Sequence, residues 1–124
     1  MNKKLFEKLT EFLTDTNRLY EEYVDDMGQL IMSTETLSHL TSAMKSGLEV
    51  YNMVVAAEDY KEDSDIQGVL VEIAREIEKV KTTEENAKKL NLQSSINIWE
   101  TIVGKLMALS ILLLAGVEVE EDEK

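Results

Sequence analysis

Apolar residues recur along this chain by threes and fours, in four stretches parted by short polar breaks. That spacing marks one face of an α-helix, which completes a turn in about 3.6 residues. The first stretch, residues 2–32, carries Leu5, Leu9, Phe12, Leu19, Tyr23 and Leu30, with Thr16 and Asp26 at the same phase. It predicts one long amphipathic helix, weakened at Gly28 by about 1 kcal/mol relative to alanine. Ser33 or Thr34 is the expected cap of a second helix, and Glu35 suits its positive end.

The second stretch, residues 35–59, repeats the pattern with Leu37, Leu40, Met44, Leu48, Tyr51 and Val55. Residues 60–63 read as a loop. Ser64 and Gln67 have capping-box spacing ahead of Ile66, Val69, Leu70, Ile73, Ile77 and Val80, the third apolar stripe. Thr82 and Glu85 repeat that spacing, so the third helix either continues or breaks near Lys81 and restarts. Glu84–Lys88 and Glu85–Lys89 have favourable i,i+4 order. Asn91 is a residue type that ends helices in the left-handed conformation.

The fourth stretch is different. Residues 96–117 are apolar on nearly every side, and only Glu100 and Lys105 are charged. A membrane span needs about 20 apolar residues. The uncharged run extends only from Leu106 to Val117, and including Glu100 and Lys105 costs about 2.5–3.5 kcal/mol each near a bilayer centre. The stretch therefore predicts a bundle helix starting after Ser94 or Ser95, with Trp99, Leu106, Leu109 and Leu113 serving the core or a contact with a second copy. Its surplus apolar surface predicts homo-oligomerisation or a protein partner. A helix anchored in a membrane by residues 96–117 is an alternative.

The expected fold is all-α: an antiparallel bundle of four helices in up-down-up-down order, or five if the third is broken, with a strongly apolar C-terminal helix. Residues 1–116 form one domain, and the acidic tail, residues 117–124, reads as disordered. The absence of proline and the 5 glycines among 124 residues argue against sandwiches and barrels, which need turns at every strand end. No cysteine is present, which excludes disulfides and thiolate metal sites and fits a cytoplasmic protein. The N-terminus has no apolar core of the kind a signal peptide needs.

The formal net charge is −12, spread along the chain. Direct nucleic-acid binding needs clustered lysine and arginine, and a basic protein partner fits better. On the first helix Glu7, Glu11, Asp15, Glu22 and Asp26 fall on neighbouring positions. Carboxylates at i,i+4 stand about 6 Å apart, close to the spacing of alternate phosphates along a nucleic-acid strand. Such a row suits the basic groove of a nucleic-acid-binding protein, although Lys3, Lys4, Lys8 and Arg18 are interleaved.

No phosphate-binding glycine loop or nucleophile elbow occurs. Glu35 precedes the lone His39 by four residues, which does not match Glu-x-x-His ligand spacing. A magnesium-dependent all-α nucleotide hydrolase would need inward carboxylate pairs, for which Glu22/Asp25, Glu22/Asp26 and Glu72/Glu76 are the candidates. The leading expectation is a non-catalytic interaction module without cofactors, an inhibitor or regulator of a basic protein. Phage-encoded anti-defence proteins often take this small acidic helical form; the likeness is one of form alone.

Overall fold

A computed structural model describes residues 1–86 and 91–115, with side chains to residue 82 and from 91. The acidic tail and the Glu84–Lys88 and Glu85–Lys89 pairs lie outside the described side chains. The described chain is all-helical, with α1 at Lys3–Glu22, α2 at Thr34–Ala56, α3 at Ser64–Asn86 and α4 at Leu92–Leu114. A single 3-10 turn, Glu58–Tyr60, stands between α2 and α3.

α1 ends ten residues before the apolar periodicity does, and the physical reason is Asp25. Its Oδ1 accepts from the amides of Met27 and Gln29 at 2.9 and 3.0 Å. Short polar side chains that bond nearby amides compete with helix in this way. Gly28 adopts φ +79, a left-handed turn conformation that favours glycine. The chain reverses there, and Val24 pairs with Leu30 across the turn. Gly28 is thus the pivot of a turn and does not interrupt a helix.

Of the two readings of α3, the unbroken helix is the one found: it runs past Lys81, and Thr82 Oγ1 donates to the Glu78 carbonyl within it. Two further expectations change at helix ends. Ser64 and Gln67 form no capping box. Asp63 caps α3 by accepting from the Asp65 and Ile66 amides, and Gln67 donates to the Tyr60 carbonyl. Asn91 is an N-cap with extended backbone, and its side chain accepts from the Ser94 amide, so α4 starts at Leu92. Ser33 caps α2 as expected, accepting from the Thr36 amide.

The core brings together Leu5, Leu9, Phe12 and Leu19 of α1 with Ile66, Leu70 and Ile73 of α3 and the buried side of α4. α2 presents an unexpected edge to it. Its fully buried positions are Thr36, Leu40, Ala43, Gly47, Val50 and Val54. Leu37, Met44, Leu48 and Tyr51 are only half-buried, and Val55 is exposed. Apart from Leu40, the expected stripe of large side chains is rotated out of the centre. The cause is steric: a Cβ on Gly47 would stand 2.7 Å from both Leu106 Cδ1 and Phe12 Cε1. Small residues let α4 settle directly on α2, and large ones there would hold it away.

α2 and α4 consequently form the middle of the molecule, with α1 against α2 and α3 against α4. α1 meets α4 only sparsely. Between α1 and α2 the pairs Lys8–Glu49, Asp15–Ser46 and Tyr23–His39 ascend one helix while descending the other.

Candidate interaction surface

Four residues of the acidic row stand on α1 and one does not. Glu7, Glu11 and Glu22 are exposed, and Asp15 is half-buried against α2. Asp26 lies past the end of α1, in the turn, and so leaves the row. Its apparent core phase belonged to a helix that had already ended.

The row is partly engaged. Lys8 Nζ lies 2.9 Å from Glu49 and 3.6 Å from Glu11. The hydrogen bond to Glu49, then the charges of Glu11 and Glu49, hold the Lys8 ammonium above its ordinary pKa. Arg18 lies 3.4 Å from Glu22. Asp15 Oδ2 accepts from Ser46 Oγ at 3.0 Å, which ties the middle of the row to α2. Exposed pairs of this kind contribute little to stability. Their consequence here is electrostatic, since each lysine or arginine offsets part of the acid beside it.

The two charges of α4 each find a partner on a different helix. Tyr20 Oη donates to Glu100 Oε2 at 2.8 Å. Burial, the hydrogen bond and the carboxylate charge together push the Tyr20 phenol well above its ordinary value. Lys105 Nζ lies 3.5 Å from Glu72 Oε2 on α3. Sequence reading missed the Tyr20 bond because no short-range signal links positions 80 apart.

Leu106, Leu109 and Leu113 are all core residues, and Trp99 is half-buried against the core. The most exposed large apolar side chains of α4 are Ile111, 64% exposed, and Leu114, 43% exposed, while Ile98, Trp99, Met107 and Leu112 are half-buried. Leu114 borders a groove of about 430 Å³ between α1 and α4, whose α1 wall includes Phe6 and Leu13. A smaller cleft of about 290 Å³ lies between α3 and α4, near Val80, Ile98 and Thr101. α4 is long and apolar enough to cross a membrane, judged by length and composition.

Four of the carboxylates considered for magnesium have other partners. Glu72 faces Lys105, Glu76 lies 3.3 Å from Lys79, Glu22 faces Arg18, and Asp25 holds turn amides. Among the described residues no three histidine, aspartate or glutamate side chains gather as a metal site requires. His39 shares a 2.8 Å hydrogen bond with Tyr23 Oη and stacks on that ring, centroids 4.4 Å apart. It anchors the turn to α2.

No family model matches the chain, and neither the curated proteins nor the solved structures yield a match.

Proposed function

We propose that this chain is a small non-catalytic interaction module of the cytoplasm, an antiparallel four-helix bundle that offers carboxylates to a basic protein. The partner class that suits it is a nucleic-acid-binding protein, acted on as by an inhibitor or regulator. The observation carrying this reading is the exposure of Glu7, Glu11 and Glu22 on one helix, with Glu49 of α2 alongside. A helix fixes carboxylates at spacings a flexible tail cannot hold, so a basic groove meets them with little ordering cost. The net charge of −12 adds long-range attraction toward such a groove. Lys8 and Arg18 confine the strongest local field to the gaps between them.

The test is capture from the native host with the intact protein and with a variant carrying Glu7→Lys, Glu11→Lys and Glu22→Lys. The expected outcome is a basic protein retained by the parent and lost by the variant. Equal retention by both would contradict the acidic-row mechanism.

A second reading is self-association, favoured by the exposure of Ile111 and Leu114 beside the α1–α4 groove. Together they expose about one side chain's worth of apolar surface, whose burial contributes about 1.5–3 kcal/mol before ordering costs. The lateral pairing of Glu100 with Tyr20 and of Lys105 with Glu72 supports α4 as a bundle helix and not a span.

A further inference from the structure

We infer that the turn between α1 and α2, residues 23–33, is a docking knuckle for a basic amphipathic helix of a partner protein. This rests on the reading of the chain as an acidic interaction module, and it names a contact point other than the α1 row.

Three large apolar side chains stand in the open within six residues. Met27 is 83% exposed, Ile31 43% and Met32 44%. Met27 at the tip takes no part in the core. All three belong to one short turn among acidic neighbours, and methionine adapts its shape to many apolar partners.

The turn holding them is built, not loose. Asp25 accepts from the Met27 and Gln29 amides, and its own amide donates to the Gln29 carbonyl at 2.8 Å. The Ile31 amide donates to the Tyr23 carbonyl at 2.9 Å. Leu30 is buried beneath the turn, and Tyr23 is fastened to His39 of α2. The hydrogen-bonded backbone confines the ordering cost of covering the turn to its side chains, Met27 above all.

Charge selects the occupant. Glu21, Asp25, Asp26 and Glu35 flank the apolar trio, all exposed. No lysine or arginine occurs between Arg18 and Lys45, and Arg18 is spent on Glu22. A partner must therefore pair apolar side chains with positive ones. A helix with leucines on one face and lysines beside them carries both on a single element.

The probe is a synthetic amphipathic helical peptide of leucine and lysine, titrated into the full chain while the six methionine ε-methyl signals are followed by NMR. The expected result is saturable shifts at Met27 and Met32, with Met1, Met44, Met53 and Met107 little changed. Met27→Ser should weaken binding by roughly ten-fold or more without changing the melting temperature. Asp26→Lys should weaken it too, and a leucine–glutamate peptide of the same pattern should not bind. Saturable binding that maps elsewhere and survives Met27→Ser overturns this inference and leaves the module reading standing. Equal binding of the acidic peptide also overturns it. A lysine peptide that fails to bind at low salt counts against both.

Discussion

Gly47 and Gly104 share a residue type and a helical setting, yet their surroundings ask opposite things of them. A Cβ at Gly47 would meet Leu106 and Phe12 at 2.7 Å, and one at Gly104 would meet nothing within 4 Å. Alanine in a helix interior gains about 1 kcal/mol over glycine. Gly104→Ala should therefore raise stability by about that much in urea unfolding. Gly47→Ala should instead lower it by about 1–3 kcal/mol, the usual cost of overpacking; a gain there would mean that α2 and α4 are not in close contact. Tyr20 gives a second test at this scale. Its phenol holds its proton more tightly in the folded chain than the ordinary value of 10.0. Unfolding at higher pH thus releases that proton, and stability falls as pH rises. The contribution is intact below about pH 10 and is lost progressively above it. Tyr20→Phe should remove this part of the alkaline loss, seen as a smaller shift of the urea midpoint between neutral and alkaline pH than in the parent. An unchanged alkaline profile would contradict the bond to Glu100.

Helix by helix, the apolar periodicity made the existence of all four elements legible, and Ser33 was legible as a cap. Ends and phases were not, for identifiable reasons. The periodicity ran through Tyr23 and Leu30 because both do face inward, one half-buried and one buried, although from a turn. Asp25 and Gly28 were the available signals, and each outweighs a continuing apolar phase by bonding the backbone or by taking a positive φ. The phase of α2 was misread because large side chains were counted as core, whereas Ala43 and Gly47 occupy the centre. Pattern alone cannot show that two helices approach closely enough to demand small residues. Asp25→Ala should free the Met27 and Gln29 amides, so their hydrogen exchange should quicken while the centres of α1 and α4 stay protected. Uniform loss of protection would mean the turn is not a separate unit.

At the scale of the molecule, the sequence conveyed an acidic helical protein and left its contact surface open. The α1 row was partly legible: Glu7, Glu11 and Glu22 stand outward, Asp15 is turned to Ser46, and Asp26 belongs to the turn. What covers each acid depends on neighbours distant in sequence, such as Glu49 beside Lys8. On α4 the core takes Leu106, Leu109 and Leu113, which leaves Ile111 and Leu114 as its most exposed large apolar side chains. Light scattering at micromolar concentration should show a dimer or larger, and Ile111→Lys should return it to a monomer; a parent that is already monomeric would remove the self-association reading. The central claim concerns charge-directed binding, and its most direct test is the affinity of the captured basic partner across a range of ionic strength. Screening reaches about 8 Å at physiological salt and shortens as salt rises. Affinity should fall steeply with salt, and less steeply for the Glu7→Lys, Glu11→Lys, Glu22→Lys variant. An affinity indifferent to salt would contradict the account.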